Sequence, residues 1–376
     1  MYTPPVLTIL EGFAAALCDG SSGSGVRCIP RIIVGHGIFR RDYEVYNRTI
    51  AQLKQGDVFA WIGEPTLVAP WTLMGKRSVV RILFQSEPTD TCVGRRPEAR
   101  PHAWRKIAAV NELWDFSKHN VVGCTQAMAR GNAPKVRYIP IGATTLIGSQ
   151  LFAELRSPDP RGSRRNKSPK QRKTDDPGPL NFVGALQTHA LRKACYTELS
   201  KALGKGNLYS TSQAWNEVSF ASQALQRSDI FVNLHKQCGD AHNPVTWRNP
   251  TLLAQNKLIL SERAHPSDES EYDGLVRFFD NMSAIADEYL KLREPGSGWR
   301  QMADAGGERF RQRFQPRDIF ARAQVYADFG LQEQVQKREG QPGPRLSCTS
   351  CGAWCTSCEL AAEGHAVMKA RRIVQN

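Results

Sequence analysis

Apolar residues recur along this chain in two rhythms: short unbroken runs, and steps of three and four. In the first half, the runs at 31–34 (RIIV), 58–62, 78–84, 111–116 and 137–141 predict buried strands. Residues 42–55 carry Tyr43, Tyr46, Ile50 and Leu53 at helical spacing, so a helix is expected between the first two strands. Breakers close these runs: Gly35 to Gly37, Gly63 to Pro65, Gln85 to Pro88, and Pro140 with Gly142. Residues 117–120 follow their strand as a strand-to-helix corner.

The alternation resumes at 181–184 (NFVG), a strand ending in glycine. Helices are expected at 191–203, with Arg192 and Lys193 near its start, and at 217–225. Then come a strand at 230–234, a helix at 246–255, a strand at 257–261 and an apolar run at 274–279. Helical patterns at 285–292, 299–314 and 317–329 complete the series. Strand, helix, strand at this spacing predicts a parallel sheet, and its repetition in both halves predicts an α/β fold of two Rossmann-like domains facing across a cleft. A single continuous sheet through both halves would exclude that reading.

The stretch between the halves differs in kind. Residues 157–179 hold five prolines, and from Arg161 to Lys173 there are seven Lys or Arg and no acid. This composition predicts a solvated linker. The expected organisation is therefore a flexible leader (1–28), a first domain (29–150), a basic Pro-rich linker (151–179), a second domain (180–330) and a polar Cys-rich tail (331–376). At 376 residues the chain is long enough for two sizeable cores. Its net charge of +14 favours anionic partners, although much of the excess sits in the linker. The basic run has no interleaved aromatics, so a nucleic-acid partner is not expected.

Polar residues cluster just past the strand ends: His235 and Lys236 after one strand, Glu262 and Arg263 after the next. Ligands of open parallel sheets bind outside the carboxyl ends of the strands. A cation after one strand and a carboxylate after the next suits an anionic ligand bearing hydroxyls; the same residues also serve as ordinary loop caps. His235 or His36 can act as an acid or base, and each can equally be a satisfied structural histidine. Glu87 and Asp115 end strands of the first half, and Trp114 and Trp247 suit core packing or stacking on a ring.

Ten cysteines are present. Six are scattered (Cys18, Cys28, Cys92, Cys124, Cys195 and Cys238), and free buried thiols in a reducing compartment are the simpler expectation for them. No run approaches the ~20 apolar residues of a membrane span. The apolar stretch 6–18 contains Glu11 and lacks a basic leader, a poor secretory signal, so a cytoplasmic location is expected. The other four cysteines form Cys348-x2-Cys351-x3-Cys355-x2-Cys358 in the tail. Four thiolates can hold zinc, but three residues between the pairs make a cramped loop, and a disordered or redox-active tail is the competing reading. His365 is a further candidate ligand.

The second half resembles the C-terminal domain of the group 1 glycosyltransferases, enzymes of the GT-B type. The resemblance rests on NFVG (181–184), SDIFVNLHK (228–236), WRNPTLLAQNKLILSE (247–262), DGLVRFFDN (273–281) and the helical pattern near 284–292. In the first half, FQSEP (84–88), NELWDFSKHN (111–120) and RYIPIG (137–142) are similar to the acceptor-domain strands of these enzymes. The resemblance implies a UDP- or GDP-sugar donor on the second domain, a glycan, lipid or protein acceptor on the first, and no metal for catalysis. It implies that Lys236, Arg248 and His235 carry the catalytic chemistry, and that Gly184, Arg192, Asn243, Thr251 and Glu262 bind the donor. Retaining members usually carry two glutamates seven residues apart, and those positions fall on Asn243 and Thr251. Neither is a carboxylate, so the resemblance also admits a non-catalytic protein of this fold that binds a nucleotide or a polyanion.

Overall fold

A computed structural model describes residues 51, 58–63, 80–85, 110–128, 134–143, 176–187, 189–211, 224–239 and 248–328. Two separate parallel sheets form the framework. The first has the order β1 (Val58–Gly63), β2 (Val80–Gln85), β3 (Glu112–Asp115), β4 (Lys135–Tyr138), with helix α1 (Lys118–Ala127) between the last two strands. The second comprises β5 (Leu180–Val183), β6 (Leu208–Thr211), β7 (Ile230–Asn233), β8 (Leu258–Glu262) and β9 (Arg277–Phe279), in the spatial order β6-β5-β7-β8-β9. Its helices are α2 (Ala190–Leu203), α3 (Arg248–Ala254), α4 (Pro266–Glu271), α5 (Met282–Leu292), α6 (Trp299–Arg313), α7 (Pro316–Arg322) and α8 (Val325–Asp328).

Several expected elements change on folding. The strand expected at 137–141 lies at Lys135–Tyr138, before Pro140, which has no N–H to give a ladder. The strand expected at 257–261 starts one residue later, because Asn256 takes a left-handed turn (φ 53°) after α3. Only the end of the 274–279 run is strand: Leu275 and Val276 donate back to the Tyr272 carbonyl and are buried in a turn. The helix expected at 317–329 divides into α7 and α8, because Gln324 is left-handed (φ 58°). The elements expected at 31–34 and 42–55 (Ala51, which is helical, apart), at 217–223, and the linker up to 175 lie outside the described residues.

Period-two alternation distributes each strand over two cores. Ile230, Val232, Leu258 and Leu260 face α2 and α5, packing with Leu199, Ile285, Ala286 and Tyr289. Phe231 and Ile259 face the other way, into a cluster that also takes Ile82, Phe84 and Trp114 from the first sheet. That cluster is completed by Phe310, Phe314, Ile319, Phe320 and Val325 of the terminal helices, so the two sheets share one core. Trp114 packs on Phe320 at 5.6 Å between ring centroids, and Phe314 lies between Phe310 and Tyr272. The chain at Gly142–Ala143 runs against α7: Ala143 N donates to the Phe314 carbonyl at 2.7 Å, and a Cβ on Gly142 would lie 2.9 Å from Pro316 Cγ.

A polar contact supplements this core where the carboxyl ends of β3 and β8 approach each other. Asp268 of α4 accepts from Ser117 Oγ and from Lys118 N, both at 2.7 Å. It thereby completes the N-terminus of α1, whose cap Ser117 also accepts from Asn120 N. Beside it, His119 stacks on His265 (3.8 Å between centroids) and Lys118 pairs with Glu271. Asp115 lies beneath, accepting from Ser117 N at 2.8 Å and Asn120 Nδ2 at 3.2 Å. Burial pushes both carboxyls above the usual carboxylate range, Asp115 well above it, and the nearby Asp268 adds to the rise at Asp115.

A carboxyl whose pKa is raised on folding stabilises the fold fully below its unfolded pKa of about 3.9, and that stability is lost as pH rises through the raised folded value. Asp268→Asn keeps an acceptor for Lys118 N, offers its amide to the Ser117 hydroxyl, and removes the charge that faces Asp115. Tyr138, Tyr272, Lys118, Arg313, His265 and Glu271 surround the pair and remain unchanged in this variant. The thermal midpoint should therefore fall less steeply as pH rises above about 4 in Asp268→Asn than in the parent protein. Parallel profiles in the two proteins would contradict this assignment.

Candidate functional site

The second sheet reverses its winding between β5 and β7. Counted within the domain, the strand order is 2-1-3-4-5, which leaves a crevice outside the carboxyl ends of the first and third strands. The loops that open there are those after Val183 and after Asn233. Both emerge from strands whose centres are buried, so their positions are fixed by the sheet.

Gly184 ends β5 with φ 153°, in the region that favours glycine. A Cβ there would lie 2.9 Å from Arg248 Nη1 and 3.0 Å from Phe182 Cζ. The glycine thus lets the first residue of α3 reach across the strand end. Arg248 donates to the Val183 carbonyl, and its guanidinium carbon lies 5.2 Å from the Phe182 ring centroid. Arg192, expected from sequence either as a phosphate ligand or as a solvated helix residue, is buried (3% exposed). It donates to the carbonyls of His235 and Ala185, both at 3.1 Å, and lies 5.6 Å from the Phe182 centroid. Phe182 therefore has two guanidiniums near it, which a π-face attracts.

The loop after β7 is held from the other side by Glu262, the last residue of β8. Its two oxygens accept the backbone N–H groups of His235 and of Gly239, the second at 2.7 Å. Hydrogen bonds to an ionised acceptor are about twice as strong as neutral ones, which suits a carboxylate buried at 4% exposure. His235 is itself buried (1%), with Nδ1 3.7 Å from Glu262 Oε1. Lys236 begins the turn 236–239 and is half-buried. Glu262 and Arg192 thus position the loop from two sides.

Thr251 lies in α3, buried at 5% exposure. Asn243, Trp247, His36, Glu87, His365 and the tail cysteines Cys348, Cys351, Cys355 and Cys358 lie outside the described residues. Among the described residues, no three His, Cys, Asp or Glu are grouped so as to hold a metal ion. None of the described helices is long and apolar enough to cross a membrane. Asn249, which sequence reasoning passed over, is fully buried on α3, and neither its Oδ1 nor its Nδ2 has a hydrogen-bond partner. No pattern in the sequence marks it, because it follows Arg248 in a polar stretch.

The expectation of free thiols is corrected for three cysteines. Cys195 of α2 is joined to Cys238 of the loop after β7. Cys124, fully buried in α1, is also disulfide-bonded. Separation in sequence hides such pairings, since spacing alone does not give connectivity.

No protein-family model matches this chain, and no curated protein matches it in sequence. Its fold, by contrast, is shared with solved structures. The α,α-trehalose 6-phosphate synthase of Burkholderia multivorans is similar with a TM-score of 0.50 at 12% identity, over 86% of this chain and 82% of that one. A UDP-forming α,α-trehalose-phosphate synthase of Burkholderia xenovorans gives 0.50 at 11%, over 87% and 85%. A trehalose-6-phosphate synthase studied with bisubstrate glycomimetics gives 0.50 at 9%, over 86% of each chain. At these identities the likeness is one of architecture, and the architecture is the two-domain Rossmann-like fold of the GT-B type.

Proposed function

We propose that this protein is a glycosyltransferase that moves a sugar from a nucleotide-diphosphate donor to a hydroxyl-bearing acceptor. The observation that carries the reading is the cationic crevice at the switch point of the second sheet, where Arg248 crosses Gly184 beside the loop of Lys236. Breaking a glycosyl–phosphate bond leaves charge on a diphosphate, and preorganised cations at a strand-end crevice stabilise that charge as it forms. Arg248 and Lys236 take this role in the proposal. Gly184 admits Arg248 to the end of β5, Arg192 and Glu262 hold the loops, and His235, buried against Glu262, fixes the exit of β7.

The donor would be held by residues 180–330 and the acceptor by residues 29–150. All three similar structures above are described as trehalose-phosphate synthases and one of them as UDP-forming, which favours UDP over GDP in the donor. A glycan acceptor is favoured on the same ground over lipid or protein. The disulfides suit an oxidising compartment better than the cytoplasm expected from the leader.

A second reading, a binding protein that has kept this fold without turnover, is favoured by Thr251. The sequence resemblance assigns position 251 to one of the two glutamates usual in retaining group 1 enzymes, and a threonine hydroxyl is a weaker acceptor than a carboxylate. In that case the crevice would hold the nucleotide and no product would form.

Arg248→Ala or Lys236→Ala should weaken UDP binding about tenfold or more, as expected for the loss of a charge-assisted hydrogen bond worth roughly 1.5–3 kcal/mol, and should change uridine binding far less. Deleting 161–173 should leave UDP affinity nearly unchanged, because a flexible basic segment is screened and not preorganised. Calorimetric titration of the four proteins measures this, with melting curves to confirm that Arg248→Ala remains folded. Equal losses from the deletion and the point changes would mean diffuse polyanion binding and would end the donor-site reading. Release of UDP from a UDP-sugar, followed chromatographically, separates turnover from binding alone.

A replacement of Glu262 tests the positioning role separately. Glu262→Gln keeps one acceptor oxygen but cannot satisfy both backbone N–H groups with a charge, so stability should fall by about 1–3 kcal/mol. Chemical denaturation measures it; an unchanged midpoint would show that the loop does not rely on this carboxylate.

A further inference from the structure

A cavity opens at the opposite end of the second sheet from the crevice. The crevice lies outside the carboxyl ends of the strands. This cavity lies at their amino ends, beside Leu258, the first residue of β8, and Arg277, the first of β9. About 13 Å of strand separates it from Glu262 at the far end of β8. Its volume of about 530 Å³ is that of a small-ligand site. One wall is a face of α6, on which Gln301, Met302, Ala305 and Arg309 recur at helical spacing. The turn that carries Gly274 and Leu275 forms another. Leu258 and Leu275 are buried, whereas Met302 is among the large apolar side chains left exposed.

Arg309 gives the cavity its chemistry. Its Nε donates to the Ala305 carbonyl at 3.3 Å, one turn back on its own helix. Among the described residues, no carboxylate pairs with it and neither Nη nitrogen has a partner. The guanidinium is nevertheless held close to the wall. Gly274 takes φ 69°, and a Cβ there would lie 2.8 Å from Arg309 Nη1, so only a glycine lets the backbone pass against it. Arg277 differs: it pairs with Glu288 of α5, and its Nη1 lies 3.9 Å from the Met302 sulfur. The charge of Arg277 is thus answered within the protein, and that of Arg309 is not. A guanidinium fork donates to two oxygens of one acidic group at once. The apolar lining beside it favours an organic body over a bare inorganic ion.

We propose that this cavity is a binding site for a small organic anion with an apolar body, an aryl or alkyl phosphate, carboxylate or sulfonate, anchored by Arg309. The acidic group meets the Nη nitrogens of Arg309, and the body lies along Leu258, Leu275, Met302 and Ala305. Because the site is at the other end of the sheet from the crevice, it fills without displacing a nucleotide. It does not depend on the donor-site reading.

The test uses the full chain with 8-anilinonaphthalene-1-sulfonate as the probe, followed by its fluorescence. A dissociation constant on the order of 10–100 µM is expected for an anion of this size. Two variants locate it, with melting curves to confirm that both fold. Arg309→Gln removes the charge and should weaken binding about fivefold or more. Ala305 is exposed, so Ala305→Phe fills the cavity without entering a core and should weaken binding about tenfold. Phenyl phosphate and benzoate should displace the probe, inorganic phosphate far less, and excess UDP not at all. Binding that both variants leave intact would overturn the proposal, as would failure of the probe, phenyl phosphate and benzoate all to bind. Inorganic phosphate that competes as well as phenyl phosphate would overturn the need for an apolar body. Displacement by UDP, with binding lost in Lys236→Ala and kept in Arg309→Gln, would put the probe in the crevice and overturn the proposal while supporting the donor-site reading. Binding that requires Arg309, in a protein that never binds UDP, would uphold the cavity and end the donor-site reading.

Discussion

The apolar seam beneath the first sheet is the constraint on which the arrangement of this protein depends. Trp114, Phe84 and Ile139 do not close a core with the described parts of their own half; Phe314, Ile319, Phe320 and Val325 of the terminal helices close it for them. The same cluster takes Phe231 and Ile259 from the second sheet. Burial of large side chains contributes about 1.5–3 kcal/mol each, so a seam of this size outweighs any single polar contact across the halves. The carboxyl ends of β3 and β8 meet because the seam brings their sheets together, and the polar contacts of Asp268, Lys118 and His265 form only once they have met.

Within the second half, placement of the crevice follows from strand order and a few buried polar groups. A parallel sheet that winds first one way and then the other must part its loops at the point of reversal. What occupies that point is then set by side chains. The glycine after β5 makes room for an arginine from α3, and the carboxylate ending β8 gathers the amides that follow β7. Arg192 and Glu262 thus hold the loops that follow β5 and β7, whereas Arg248 and Lys236 are the residues to which the proposed function gives the charge. Two groups recognised from sequence as one set of polar residues divide into two kinds of work.

Much of this was legible in the sequence for a physical reason: strands buried on both faces are rich in apolar residues, and residues 230–232 of β7 and 258–260 of β8 are unbroken apolar runs. β6 was missed because its residues, LYST, are mostly half-buried at the edge of the sheet and carry no such run. α4 was missed because PSDESE has no apolar period; its signals were local, a proline at the start, acids in the first turn and His265 as the cap. The division of α7 from α8 turns on the backbone of Gln324, a residue type that gives no warning of a left-handed conformation. Site residues whose partners are near in the strand order could be anticipated. The Asp268 contact, 151 residues from Ser117, and the Cys195–Cys238 bond could not, since each is decided by tertiary proximity alone.

The cap on α1 has a consequence for how the protein comes into being. Chains are made from the N-terminus, and an early domain ordinarily folds before the next has been synthesised. Here the carboxylate that completes the first turn of α1 arrives only with residue 268, and the terminal helices that share a core with Phe84 and Trp114 arrive from residue 299 onward. The first half is thus the earlier to be synthesised and the later to be finished. Until the end of the second half has left the ribosome, Trp114, Phe84 and the start of α1 lack these partners, and a chaperone that shields apolar strands would meet this protein at its first half, long after that half was made.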